Sequence, residues 1–148
     1  MVSERDSLAG VREALKAGRL VAMVLDQNMN ADRGVFVPFL GQSACTSDGL
    51  AILALRTGAP IVPIFTWWDG SGHVARFEAP IPVATEGDVR SRIVETTRRC
   101  SDAMARAVEV HPEQWLWVHR RWKTQPSLDV LEGKANHPPP TRKGSRHS

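Results

Sequence analysis

Residues 20–26, LVAMVLD, place the strongest constraint on what this chain can fold into. Six apolar side chains in a row have the length of a strand and lack the polar alternate positions of a half-solvated sheet. Both faces of the segment are therefore expected to be buried, as in the interior of an α/β sheet. The run ends on Asp26 and Gln27, at the carboxyl end of the expected strand, where ligand-binding side chains collect in open α/β sheets. An aspartate at that place either caps a turn or reaches into a site, and composition alone favours the cap.

The surrounding chain reads as alternating helices and strands. A helix is expected from Ser3, with Leu8, Val11 and Leu15 on one side and Gly18 at its end. Residues 28–45, NMNADRGVFVPFLGQSAC, read as a loop punctuated by Gly and Pro with an apolar middle. Thr46 or Ser47 is expected to cap the next helix, LAILALR, with Asp48 in its first turn; that helix is apolar nearly all round and so should be buried. Residues 59–68 are the second strand candidate, starting irregularly at Pro60 and Pro63, and a turn at 69–72 leads into HVARFEA as its return strand. Asp88 is expected to cap a long helix from Val89 to about Val110, whose Val89, Ile93, Thr97, Cys100, Met104 and Val108 share one face. Pro112 ends it.

Residues 113–123, EQWLWVHRRWK, hold three Trp, three cations and a His in eleven positions. Such a mixture suits a surface apolar enough to meet lipid and basic enough to hold an anionic head group, and equally a buried Trp cluster with its cations in water. From His119 onward there are seven Lys/Arg against two Asp/Glu, so the first 118 residues, with 12 against 14, are net −2. The basic character of the chain lies in its tail, which argues against a nucleic-acid binder. A length of 148 residues allows one domain, here 1–126, followed by a basic tail at 127–148 that is expected to be disordered. No apolar run reaches the roughly 20 residues of a spanning helix. Cys45 and Cys100 have no metal-ligand spacing and read as two incidental thiols of a reducing compartment.

Taken together, DQN (26–28), GVFVPFLG (34–41), TGAPIVP (57–63) and PEQWLWVHRRWK (112–123) resemble, in wording, order and spacing, the carboxyl-terminal half of the late acyltransferases of lipid A biosynthesis. The resemblance covers about residues 11–126. It implies an α/β fold of glycerolipid-acyltransferase type, a mixed sheet flanked by helices. The implied location is the cytoplasmic face of the bacterial inner membrane, peripheral for this chain. The implied partners are an acyl carrier protein thioester as donor, a lipid A precursor as acceptor and the membrane surface, with no metal and no cofactor.

Family members carry a membrane-anchoring helix and then a His-x4-Asp/Glu pair, in which the His deprotonates the acceptor hydroxyl and the carboxylate orients it. Neither stands at the matching place here, so the chain is expected to be an amino-terminally truncated form with no catalytic residue of its own, inactive or nearly so alone. The competing expectation is a non-catalytic binding module that complements a separately encoded amino-terminal half. His73 and Glu78 have the right spacing but the wrong place and a strand setting, where residues five apart point to opposite faces. The resemblance puts Asp26 and Gln27 at the cleft. In the loop Gly34 is expected to allow a positive φ and Arg33 to meet a phosphate or stay solvated, while Phe36, Val37 and Phe39 either line the acyl groove or pack in the core. With the resemblance, Arg120, Arg121 and Lys123 are expected on the phosphates of the acceptor, and Trp115, Trp117 and Trp122 against the membrane or the anterior half.

Overall fold

The computed structural model describes residues 4–128. In chain order these are α1 (Glu4–Lys16), β1 (Gly34–Phe39), β2 (Gln42–Ser47), α2 (Gly49–Thr57), β3 (Ile64–Trp68), β4 (His73–Phe77), α3 (Val89–Val110) and a 3₁₀ turn (Pro112–Gln114). The result is a small α/β unit in which β1 pairs with β2 and β3 with β4, each pair a separate antiparallel hairpin. No mixed sheet forms among the described residues. The tail expected at 127–148 lies almost entirely outside them.

Residues 28–45, expected as a loop, contain the first hairpin. Its connection is Leu40–Gly41, with φ of 48° and 77°, and a two-residue turn with both φ positive matches the right-handed twist of the flanking strands. Leucine is an uncommon residue there, so the Asn-Gly or Asp-Gly signal of a tight hairpin is missing from the sequence. Pro38 also disguises the strand. The turn makes Phe39 and Gln42 the closing hydrogen-bonded pair, so Pro38 and Ser43 form the next, non-hydrogen-bonded pair and no ladder donor is lost at the proline.

Gly34 opens β1 for a reason of space rather than of positive φ. A Cβ added there would lie 2.6 Å from the Thr46 carbonyl oxygen, and backbone cannot swing aside. Gly34→Ala is accordingly expected to cost about 2 kcal/mol, read as a lower urea midpoint.

The long helix α3 is the support on which the first hairpin rests. Asp88 accepts a hydrogen bond from the Ser91 amide at 2.7 Å, as expected of the cap. Cys100, Met104 and Val108 are buried, and Ser101 donates to the Pro38 carbonyl at 2.7 Å, fixing helix to strand. Met104 and Val108 join Phe39 and Ala44 in the main core, with Leu25, Phe65, Trp115 and Trp122 packed around them. The stripe runs out at the amino end, where Val89 is exposed. On the opposite side Arg98 and Arg99 reach Glu95 at 2.8 Å and hold its carboxyl down at a pKa of about 2. The helix α2 buries only Ala51, Leu53 and Ala54, less than its all-round apolar character led one to expect, and ends on Gly58 at φ 70°.

The constraint with which the sequence began is not met. Residues 20–26 form no strand; Leu20 is 76% exposed, Val24 74% and Met23 43%. A strand buried on both faces needs a ladder on each side and cover above and below. Here neither hairpin pairs with the segment, and only Leu25 of it packs against the core.

Candidate functional site

The site is built where residues 26–28 are gripped by residues 119–124, more than ninety positions further on. The Asn28 amide donates to His119 Nε2 at 3.1 Å. Its side chain donates through Nδ2 to Thr124 Oγ1 and accepts at Oδ1 from the Thr124 amide, both at 3.0 Å. Acceptance at Nε2 puts the proton of a neutral His119 on Nδ1. Arg121 donates from Nη1 to the carbonyls of Cys45 (2.8 Å) and Gln27 (3.3 Å) and from Nη2 to Thr46 Oγ1. Its guanidinium carbon lies 5.2 Å from the centroid of Phe39, and the rings of Trp115 and Trp122 flank that phenyl at 5.6 and 5.8 Å.

Arg121 is 0% exposed. Burial draws its pKa below the ordinary arginine value, opposed by the nearby acidic groups of Cys45 and Asp26. The guanidinium is thus a fixed internal charge that ties β2 to the chain around Asp26.

Beside this clasp lies an open cleft of about 700 Å³ between residues 23–26, β3 and the carboxyl half of α3. Met23, Phe65, Met104 and Trp115 give it an apolar wall, while Asp26, Arg76, Glu78, Arg106, His111 and Gln114 supply polar groups. The His111 ring stacks on Trp67 with centroids 4.9 Å apart, and its Nδ1 lies 3.6 Å from Glu113 Oε1. Asp26 Oδ1 is buried and has no hydrogen-bond partner among the described residues. An orphaned buried acceptor costs about 1–3 kcal/mol, and a donor brought by a ligand would recover it.

The structure distributes the residues singled out in the sequence unevenly. Asp26 is on the cleft wall. The Gln27 side chain is exposed, and its carbonyl serves Arg121. Arg33 is exposed, and Gly34 is buried against Thr46. Phe36, Val37 and Phe39 are in the core and none is on the cleft wall. Of the three late cations, Arg120 and Lys123 are exposed and Arg121 is internal. Of the three Trp, Trp115 and Trp122 pack on the core and Trp117 faces outward.

His73 opens β4 and stacks edge-on against Trp68 at 5.2 Å, while Glu78 follows the last residue of β4 and pairs with Arg76 at 3.9 Å; five residues of extended chain set the two about 16 Å apart. His111 has no carboxylate at the His-x4-Asp/Glu offset; the sequence signal that brings it to the cleft is Pro112, which ends α3 just after it. Burial raises Cys45 and Cys100 to a pKa of about 11, which keeps both as neutral thiols. Among the described residues no helix is long and apolar enough to cross a membrane.

Residues 1–124 match the family described as bacterial lipid A biosynthesis acyltransferase. The lipid A biosynthesis lauroyltransferase of Escherichia coli (strain K12) is 31% identical over 126 residues, 83% of this chain and 40% of the relative. The lipid A biosynthesis palmitoleoyltransferase of the same strain is 30% identical over 125 residues, 82% of this chain and 39% of the relative. A phosphatidylinositol mannoside acyltransferase of Mycobacterium tuberculosis (strain ATCC 25618 / H37Rv) is 29% identical over 119 residues, 80% of this chain and 36% of the relative. The chain therefore spans about two fifths of the length of the curated relatives it matches.

Proposed function

We propose, from the premise that this chain belongs to the bacterial lipid A biosynthesis acyltransferase family, that it supplies the acyl cleft and part of the acceptor site of an enzyme acylating a glycolipid. The donor is an acyl carrier protein thioester and the acceptor a hydroxyl of a lipid A precursor. In that reaction the deprotonated hydroxyl oxygen bonds to the thioester carbonyl carbon, the carbon–sulfur bond breaks, and the sulfur leaves as a thiol once protonated. The observation that carries the reading is Asp26, whose orphaned Oδ1 stands on the wall of a cleft that is otherwise mainly apolar. An apolar channel holds a fatty chain, and a buried acceptor beside it binds and orients a donor hydroxyl of the sugar.

Exposed Arg120 and Lys123 are the late cations available for the phosphates of the acceptor. The whole enzyme has the mixed sheet of a glycerolipid acyltransferase and works at the cytoplasmic face of the inner membrane. Relatives named for lipid A and for a phosphatidylinositol mannoside share a glycolipid acceptor, which is the substrate class we assign here.

The general base comes from polypeptide outside this sequence, since His73 and Glu78 do not meet. The uncovered apolar side chains of residues 20–24 favour a second reading, in which the chain is a binding module completed by a separately encoded half. Both are tested by assaying transfer from lauroyl-acyl carrier protein to a lipid A precursor, with the chain alone and mixed with the amino-terminal half of a family member. Transfer is expected only in the mixture, and Asp26→Asn is expected to lower it about 10–100-fold. Transfer by the chain alone, or an undiminished Asp26→Asn mixture, overturns the proposal.

A further inference from the structure

The three Trp of the 112–123 segment do not share one role. Trp115 and Trp122 are spent on Phe39, whereas Leu116 (68% exposed), Trp117 (53%) and Val118 (84%) form an uninterrupted outward run. Three consecutive apolar side chains in water are unusual on the surface of a folded domain and mark a contact surface.

The run is held rigidly. The His119 amide donates to the Leu116 carbonyl at 3.0 Å, closing a turn beneath it. The Trp117 indole donates to the Pro112 carbonyl at 2.6 Å, so its ring enters an apolar medium without an unpaired N–H. On the far side His119 is fixed by Asn28 and Arg121 is internal. The tip cannot fold its side chains inward without breaking these bonds.

Next to it stand Arg120 and Lys123, exposed and without an ion pair among the described residues, while the nearest acid in the segment, Glu113, faces His111. An apolar tip with cations at its base fits a surface whose interior is hydrocarbon and whose boundary is anionic.

We infer that Leu116, Trp117 and Val118 form a preformed wedge that seats in the headgroup region of an anionic bilayer, with Arg120 and Lys123 at the level of the phosphates. The inference deepens the membrane location proposed above and rests on it for the identity of the bilayer. It needs neither acyl donor nor acceptor, so its failure is separate from a failure of transfer.

The test is co-sedimentation of the full chain with phosphatidylcholine vesicles, with and without phosphatidylglycerol. The parent is expected to bind the anionic vesicles, with indole quenching by brominated lipid. Leu116→Ser/Val118→Asp should weaken binding about tenfold, and Arg120→Ala or Lys123→Ala about fivefold each, the latter effect fading in high salt. Because Leu116 and Val118 are exposed, these variants should keep the parent's unfolding curve. Trp68→Ser/Phe77→Ser, which removes two exposed aromatic side chains from the β3–β4 hairpin, should bind as the parent does. Equal binding by the tip variant and the parent overturns the inference. So does an equal loss in the hairpin variant, or a tip variant that loses only self-association on gel filtration.

Discussion

Arg121→Ala is expected to lower the stability of the chain by about 4 kcal/mol. The reason is the number of bonds lost at once. Removing the guanidinium takes a charged donor from the carbonyls of Gln27 and Cys45 and from the hydroxyl of Thr46, and it empties a buried volume beside Phe39. Cys45 keeps the Met29 amide and Thr46 keeps the Ala44 carbonyl, so the loss lies in the charged hydrogen bonds and the cavity. Arg121→Lys should fall nearer to alanine than to the parent, because a single ammonium nitrogen cannot stand at both of the positions, Nη1 and Nη2, from which the three bonds are made. Urea unfolding followed by Trp emission reads the result; a loss under 1 kcal/mol would mean that the arginine is dispensable to the clasp.

Phe39→Ala is expected to cost about 4 kcal/mol, by a different mechanism. Phe39 is 1% exposed and lies between Trp115 and Trp122, with Arg121 over its ring. Truncation leaves a void bounded by two rigid indoles and a rigid guanidinium, none of which can close it by a change of rotamer. Emission from the native state should shift to longer wavelength as water enters. The Arg121→Ala/Phe39→Ala double variant should lose less than the two single losses together, since each substitution already undoes part of the same contact. Strict additivity would separate the two residues energetically and contradict the packing described.

The readability of this chain follows from how local each signal is. Asp88, Gly58 and the turn at 69–72 act on their own neighbours, and the helix start, helix end and hairpin they mark are where the sequence puts them. The β1–β2 hairpin was hidden because its turn uses leucine at positive φ and its strand contains a proline on the side that needs no donor.

Residues 20–26 carry the opposite lesson. Their apolar pattern describes an environment that the described residues do not provide, so the pattern was read correctly as a demand and wrongly as a strand. At the site, the position of Asp26 was legible from its place after an apolar run. The inward turn of Arg121 was not, because Arg120 and Arg121 are identical in type and only the fold decides which one meets Thr46. Composition could count the indoles of the 112–123 segment but could not divide them between core and surface.

The clasp joining Asn28 to His119 and Thr124 spans 91 and 96 positions of chain. A ribosome adding about 5–20 residues per second needs about 5–20 s to travel that distance. Throughout that interval the residues that will grip Gln27 and Asn28 do not yet exist. Nothing local can substitute, since neither hairpin pairs with them. Newly made chains of this kind therefore pass through a window in which Gln27 and Asn28 lack the partners that fix them and Leu25 lacks its packing on Met104 and Val108, and slower translation between codons 30 and 124 lengthens that window.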